Sequence, residues 1–314
     1  MSHGPHCLDG VTAAVAITRY YRTARVVARF SSNAKITEVI LSLRCDPANA
    51  EHEIWITDIS WSDPAADRHL QELIAQGAEV YWIDHHRTAL ERYRNRDIRV
   101  ELTDQLLSEE YAAARLTYEY LRKRLLSRGK TNEWFTELER LVAMADDNDR
   151  WLHQIPGSHQ LALTVAMEGI DAYRELLHID ANVTYTPRMQ EAQRRVHAKV
   201  QRSMEVAEHS RVVRHLPQHH LSLVTAVCDG YPSEVAAAWG QTSPNTVFAL
   251  FDAQSLTVSF RRSPDCLVDL SRLARTLGGG GHPAAAGCEL PGLRQQIAQA
   301  LATAVRQALE QRRP

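Results

Sequence analysis

The sequence predicts an α/β fold in two domains, and three features support this prediction. At 314 residues the chain is longer than one hydrophobic core usually supports. In its first half, strand-forming runs alternate with helical patterns, as in βαβ units with a parallel sheet. The alternation restarts after a charged helical stretch at residues 188–209. We therefore expect a parallel-sheet domain over residues 1–190, a helical connector over 191–214 and a smaller α/β domain over 215–314, with the active site in the cleft between them.

The elements of the first domain follow from local patterns. Ser62, Asp63 and Pro64 provide the cap and first turn of a helix that Gly77 ends. Apolar residues at helical spacing predict further helices over 9–21, 108–128 and 133–151. Runs rich in β-branched and aromatic residues predict strands over 24–30, 53–60 and 78–84.

The second domain repeats this mixture. Strands are predicted over 220–228 and as a pair within 245–262. Helices are predicted over 231–240, over 266–277 leading into a glycine run, and over 291–312.

Composition excludes several classes of protein. The formal net charge of −2 gives no overall basic field, so binding of long duplex DNA is not expected. The five cysteines are scattered without CxxC spacing, which argues against a disulfide framework or a zinc ribbon. Neither an apolar run of membrane-spanning length nor a signal peptide is evident, so a cytoplasmic protein is expected.

Acidic residues follow two predicted strands and precede the first helix. Asp58 and Asp84 come at strand ends, the latter followed by His85 and His86, and Asp9 lies just before the helix. Because parallel strands end at one edge of a sheet, these side chains should converge there. Carboxylates and imidazoles gathered together need a cation, and Mn²⁺ or a related divalent ion suits such mixed ligands. A further acidic cluster, residues 146–149, is a source of one more ligand.

The glycine run at 278–281, followed by His282, points to a second kind of site. Consecutive glycines let the backbone approach a ligand closely and turn its N–H groups toward an anion. The small residues 284–286 would allow tight packing of a following helix, and Arg261 at a strand end could reach the same anion. A metal site in one domain and a phosphate-binding loop in the other would suit hydrolysis of a phosphate ester.

These motifs, in this order, resemble those of the DHH-family phosphoesterases with the DHH-associated C-terminal domain. The resemblance rests on Asp84-His85-His86 after a strand, the upstream Asp9-Gly10, Asp58 between them, and GGGGHPAAAG at 278–287. It implies hydrolysis of phosphate esters, typically with two Mn²⁺ ions. The family includes oligoribonucleases, nucleotide phosphatases, cyclic-dinucleotide phosphodiesterases, single-strand DNA exonucleases, pyrophosphatases and exopolyphosphatases.

The resemblance also implies roles for individual residues. His86, Asp84 and Arg261 are the expected catalytic residues; Asp84 either binds metal or orients a ligand histidine, and His86 faces the phosphate or leaving group. The expected metal ligands are His3, Asp9, Asp58, Asp84, His85 and Asp146, with Asp58 bridging two ions. The expected substrate-binding residues are Ser259, Arg261, Gly280, Gly281 and His282.

Cys7 departs from the family pattern, which has an aspartate at this position. A thiolate is a soft ligand that matches Mn²⁺ poorly, so one metal site could be altered, or His6 could substitute, or a single ion could be bound. Mg²⁺ and Co²⁺ are alternative ions.

The leading hypothesis is a phosphoesterase for short oligonucleotides or small nucleotide phosphates, acting through metal-activated water. The alternatives are an enzyme for pyrophosphate or polyphosphate, and a nucleotide-binding protein with weakened catalysis, which Cys7 favours. The expected partner is a short nucleic acid or nucleotide, with no membrane, and homodimer formation is left open.

Overall fold

The computed structural model describes residues 1–22, 26–45 and 52–310. The chain divides into two compact units, Met1–Val196 and His197–Pro314, and the point of division lies within one long helix, Pro187–Ser210. The predicted domain limits remain a prediction. None of the helices in the described part of the chain has both the length and the apolar character that crossing a bilayer requires.

The first unit contains a parallel sheet. Its strands are β1 (Ser2–His3), β2 (Phe30–Ser31), β3 (His52–Thr57), β4 (Ala78–Asp84) and β5 (Asp104–Leu107). Their order is β2-β1-β3-β4-β5, and every pairing is parallel. The order therefore reverses between β1 and β3, and ligands in open α/β sheets bind at such a point, beyond the carboxyl ends of the strands.

Helices cover both faces of this sheet. Alternate side chains of a strand point to opposite faces, so Trp55 and Tyr81 join one core cluster while Ile56 and Trp82 join another. Burial on both faces explains the apolar runs within these strands, residues 54–56 of β3 and 80–83 of β4. The helices are α1 (Leu8–Tyr20), α2 (Ile36–Leu41), α3 (Pro64–Ala75), α4 (Arg87–Arg94), α5 (Ala113–Ser127), α6 (Glu133–Thr136), α7 (Glu139–Asp149), α8 (Ser158–Glu168), α9 (Ile170–Leu177) and α10 (Pro187–Ser210).

The cap predicted for α3 is present, and three other predictions need correction. Asp63 accepts a hydrogen bond from the Ala65 N–H, and Pro64 occupies the first turn. The strand predicted over 24–30 falls partly outside the described residues, and only Phe30–Ser31 is paired. The single helix predicted over 133–151 is two helices, α6 and α7. The helix predicted from residue 108 begins only at Ala113, after β5.

The second unit contains a six-stranded mixed sheet. Its strands are β6 (Val212–Leu216), β7 (Leu221–Cys228), β8 (Thr246–Asp252), β9 (Thr257–Arg262), β10 (Gly280–Gly281) and β11 (Ala285–Cys288), in the order β10-β11-β9-β8-β7-β6. The β7–β8 pair is parallel and the other pairs are antiparallel. Its helices are α11 (Pro232–Gly240), α12 (Leu270–Thr276) and α13 (Pro291–Glu310). Residues 311 and 312, predicted to end the last helix, lie outside the described residues. The predicted mixed α/β class is confirmed.

The glycine run forms a tight β-hairpin. Gly280 pairs with Gly287 and Gly281 with Ala286, and His282 and Ala285 exchange backbone hydrogen bonds across the turn. The residues that follow are strand β11, so the prediction of a helix packed through residues 284–286 is wrong. Pairing with β9 overrides the helical preference of the alanines.

Candidate functional site

Asp9 and Gly10 lie at the start of α1, against the end of β1. Asp9 is 1% exposed, and its two carboxylate oxygens accept hydrogen bonds from Ala113 N and Ala114 N at 2.9 and 2.7 Å. A Cβ atom on Gly10 would lie 2.0 Å from the His3 carbonyl oxygen. Glycine therefore allows α1 to start directly against β1, and Asp9 holds the first turn of α5 beside it.

Asp58 follows β3 and lies at the centre of the candidate site. It is 2% exposed and has a φ of 59°, a left-handed conformation that aspartate tolerates better than most residues. One carboxylate oxygen, Oδ2, lies 3.5 Å from both His3 Nδ1 and Cys7 Sγ. The other, Oδ1, lies 3.4 Å from His85 Nε2 and 3.8 Å from His86 Nδ1. Asp58 thus contacts every histidine predicted for this part of the site.

Asp84 orients the two histidines that follow it. Its Oδ1 accepts hydrogen bonds from the backbone N–H groups of His85 and His86, and from His86 Nδ1 at 2.7 Å. Asp84 is fully buried and belongs to none of the potential metal-binding groups among the described residues. Its other oxygen, Oδ2, is buried without a hydrogen-bond partner among the described residues, so both predicted roles of Asp84 remain predictions.

His85 points into a ring of carboxylates. Its Nε2 lies 3.6 Å from Asp9 Oδ2, 3.4 Å from Asp58 Oδ1 and 3.4 Å from Asp149 Oδ2. This nitrogen is buried and has no hydrogen-bond partner in the described part of the chain. Two ligand atoms that each lie about 2.1 Å from one ion are roughly 3.0–3.4 Å apart in octahedral or tetrahedral geometry. The spacing and the unpartnered nitrogen therefore fit a shared divalent cation.

In the acidic cluster, the structure brings Asp149, and not the predicted Asp146, beside His85. Asp146 accepts a hydrogen bond from Ala112 N at 2.8 Å and pairs with Arg115 at 3.2 Å, so its carboxylate is already engaged. Asp147 accepts hydrogen bonds from Gln154 N and Ser158 Oγ. Asp149, at the end of α7, is the member of the cluster that reaches His85.

Cys7 lies within the candidate metal site. Its Sγ donates to Asp58 Oδ2 at 3.5 Å, and burial, followed by the charge of Asp58, raises the pKa of the Cys7 thiol well above its usual range. His6, the alternative to Cys7, instead bonds through Nδ1 to the Ala166 carbonyl oxygen at 2.8 Å. His6 belongs to none of the potential metal-binding groups found in the described residues.

Three overlapping groups of side chains could hold a metal ion in the part of the chain that the structure describes. Asp58 and His85 each belong to two of them, so the groups form one continuous cluster, which we call the donor cluster. They are His3, Cys7 and Asp58; Asp58, His85 and His86; and Asp9, His85 and Asp149.

The electrostatics of the donor cluster favour a cation. Burial, followed by the charges of Asp58 and Asp149, raises the pKa of Asp9 well above its usual range. Burial also raises the pKa of Asp149. Burial works against ionisation of Asp58 too, but the nearby His3 and His85 hold the pKa of Asp58 below its usual range. Negative charge is therefore crowded in this cluster, and a divalent ion would relieve the repulsion.

His86 is held differently from His85. Its hydrogen bond with Asp84 raises the pKa of the His86 ring to about 9. The side chain is 46% exposed, compared with 16% for His85. With Nδ1 engaged by Asp84, Nε2 of His86 is the ring nitrogen left for another partner.

The predicted substrate-binding residues of the second unit lie side by side in its sheet. Ser259 pairs with Gly287 and Arg261 with Ala285, which places β9 beside the glycine hairpin. Arg261 donates from Nε and NH2 to Ser233 Oγ at 3.2 and 2.8 Å. No sequence pattern identified Ser233, since a serine in the first turn of a helix is usually a capping residue. His282 is exposed beside the turn of the hairpin.

Comparison with known proteins identifies similar chains. No family model matches the sequence. Oligoribonuclease NrnB of Bacillus subtilis (strain 168) is 25% identical over 248 residues, which cover 77% of this chain. The chain spans about 60% of the length of this curated relative.

Two solved structures are similar in fold. A pGpG-specific phosphodiesterase from Vibrio cholerae, PggH, has a TM-score of 0.53 at 16% identity, and the match covers 96% of each chain. An exopolyphosphatase-related protein from Bacteroides fragilis has a TM-score of 0.48 at 14% identity, over 96% of this chain and 88% of the other. The first match confirms the predicted α/β fold class.

Proposed function

We infer that this chain belongs to the DHH-family phosphoesterases, and we propose that it is a metal-dependent hydrolase of phosphate esters in short oligonucleotides. The similarity to a protein named as an oligoribonuclease supports this class of substrate. The formal net charge of −2 also favours short substrates, because a long strand would need a basic channel along many phosphates.

The observation that carries the proposal is the environment of His85. Its buried Nε2 lies within 3.6 Å of the carboxylates of Asp9, Asp58 and Asp149 and has no hydrogen-bond partner among the described residues. Such an arrangement is costly unless a cation lies between the groups. Carboxylate and imidazole ligands together suit Mn²⁺, with Mg²⁺ or Co²⁺ as substitutes.

The proposed ligands are the members of the donor cluster other than His86. Asp9, His85 and Asp149 would hold one ion, and His3, Cys7 and Asp58 a second, with Asp58 shared between the two positions. A bound divalent ion lowers the pKa of water and neutralises charge on phosphoryl oxygens. Asp84 would hold the ring of His86 through its Nδ1, and the backbone of both histidines through their N–H groups.

His86 is the proposed proton donor to the leaving oxygen. Asp84 holds its Nδ1 and stabilises the protonated ring, so the exposed Nε2 can carry a proton toward the substrate. Arg261, Ser259 and the glycine hairpin are the proposed substrate-binding groups of the second unit. Ser233 supports Arg261 in that role by fixing two of its nitrogens.

Hydrolysis of a 5′-phosphorylated RNA dinucleotide in the presence of Mn²⁺ tests the proposal. We expect release of mononucleotide, and loss of at least about 100-fold in kcat for Asp149→Asn, because the variant removes a charged ligand. Asp63→Asn is the matched control. Asp63 caps α3, five residues after Asp58, and asparagine caps helices equally well, so activity should be retained.

Absence of release by the folded, Mn²⁺-loaded protein would overturn the proposed reaction. Equal activity of Asp149→Asn and the native chain would instead show that Asp149 is not a ligand.

A second candidate function is nucleotide binding with weakened catalysis, and Cys7 favours it. A thiol whose pKa is raised stays protonated and contributes little to binding of Mn²⁺. In that case the dinucleotide would bind with measurable affinity and remain intact after long incubation with Mn²⁺. Rapid turnover would exclude this candidate.

A further inference from the structure

A small polar pocket adjoins the donor cluster in the first unit. It has a volume of about 200 Å³, and we call it the Arg92 pocket. His86 lines the pocket and also belongs to the donor cluster, so the two are neighbours. The other polar side chains that line it are Asn33, Thr37, Ser60, Ser62, Thr88 and Arg92.

Arg92 gives the pocket a fixed positive charge. Its NH1 donates to Ser60 Oγ and to the Trp61 carbonyl oxygen, both at 3.1 Å, so the guanidinium is held in place. No carboxylate among the described residues forms an ion pair with Arg92, although the side chain is half-buried. Its neighbour on the same helix, Arg87, does have such a partner, Glu91, at 3.0 Å. A held, half-buried guanidinium without a carboxylate is suited to an anionic ligand.

The size and lining of the pocket limit what that anion can be. Pockets that hold whole drug-sized ligands measure about 300–1,000 Å³, so this one suits a single group of a larger molecule. The hydroxyls of Thr37, Ser62 and Thr88 and the amide of Asn33 supply further hydrogen-bond donors. Phosphate, with several acceptor oxygens and a negative charge, matches a guanidinium surrounded by hydroxyl groups.

We propose that the Arg92 pocket binds a second phosphate of the substrate, one that is not cleaved, while the donor cluster engages the phosphate that is. This inference rests on the proposed function. It assigns to the first unit a phosphate-binding role that the sequence motifs assign only to Arg261 and the glycine hairpin of the second. The protein therefore favours substrates with a phosphate next to the cleaved diester, such as a 5′-phosphorylated dinucleotide over its 5′-hydroxyl counterpart.

Binding in the absence of metal tests the pocket independently of catalysis. The full chain, treated with a chelator, is titrated with 5′-phosphorylated diadenosine dinucleotide and with the same dinucleotide lacking the 5′-phosphate. The native protein should prefer the phosphorylated form, and Arg92→Gln should reduce the preference on the order of tenfold or more, the effect of a lost charge-assisted hydrogen bond. Arg94→Gln, an exposed arginine on the same helix outside the pocket, should leave the preference unchanged.

Asn33→Ala gives a second variant, in case Arg92→Gln disturbs folding. Asn33 is exposed, so its loss should weaken the preference for the phosphorylated form without unfolding the chain. Arg261→Gln decides between the two units: if it alone removes the preference and Arg92→Gln has no effect, the inference is overturned. Equal binding of both dinucleotides by the native chain, or tight binding of unphosphorylated adenosine that Arg92→Gln abolishes, would also overturn it.

The same variants separate failure of this inference from failure of the proposed function. Arg92-dependent preference in binding without hydrolysis of either dinucleotide would preserve the pocket and exclude the reaction. Hydrolysis of both dinucleotides at equal kcat/KM by the native protein and Arg92→Gln would preserve the reaction and exclude the pocket.

Discussion

At the scale of single residues, Cys7 has the clearest consequence for metal binding. Its thiol lies beside Asp58 where a carboxylate would give a harder ligand. We expect Cys7→Asp to bind Mn²⁺ more tightly by roughly tenfold, equivalent to about 1.4 kcal/mol. Calorimetric titration of the chelator-treated protein measures the change.

Cys7→Ser is the control, because it removes the thiol without adding a charge and should give no such gain. If Cys7→Asp binds Mn²⁺ no more tightly than the native chain, the group of His3, Cys7 and Asp58 does not hold an ion.

Most of the candidate donor residues could be identified from the sequence because they follow strands or lie at the start of a helix. Asp9, Asp58 and His85 are examples, and the structure brings their side chains together. The choice between Asp146 and Asp149 could not be made in this way. Both lie on the same helix, and the choice depends on which carboxylate is already bound to Ala112 and Arg115, a contact between helices that no local pattern reports.

At the scale of elements, the glycines of the hairpin fall into two kinds: those that the packing of the strands requires, and those whose open side can face a ligand. A Cβ on Gly279 would lie 2.1 Å from the Gly287 carbonyl oxygen, whereas a Cβ on Gly280 would have no atom within 4 Å. We expect Gly279→Ala to lower the free energy of unfolding by about 1–3 kcal/mol, as overpacking does. Gly280→Ala should change it by less than about 0.5 kcal/mol, yet raise KM, because the added methyl group would block approach of a phosphate.

Urea unfolding and steady-state kinetics on the dinucleotide measure both effects. An unchanged KM for Gly280→Ala would mean that the glycines serve only to let two strands pair closely.

The long strands and most helices were predictable because burial imposes a period on their residues. The two-residue strands β1 and β10 were not, since two residues contain no period and their pairing depends on distant parts of the chain. Four consecutive glycines likewise have no side-chain pattern, so a hairpin and an anion-binding loop look alike in sequence. The break between α6 and α7 falls at residues 137 and 138, within a continuous amphipathic pattern, and was missed for that reason.

At the scale of the whole molecule, the donor cluster belongs entirely to one of the two compact units. Every residue in the three potential metal-binding groups lies within Met1–Val196. Binding of Mn²⁺ to the folded state should therefore stabilise this unit, by about 2.7 kcal/mol when the free ion is at 100 times its Kd. Two sets of hydrogen bonds should be stabilised most by the ion. The first joins Ala113 and Ala114, in the first turn of α5, to Asp9, and the second joins the His85 backbone N–H to Asp84.

Hydrogen exchange of the full chain, with and without Mn²⁺, locates this stabilisation. Exchange should slow at His85, at Ala113 and Ala114, and through residues 3–10, while peptides from residues 197–310 keep their rates. Asp149→Asn should weaken the protection, and Asp63→Asn should preserve it. Equal protection in both units would mean that the stabilisation is not confined to the unit that contains the donor cluster.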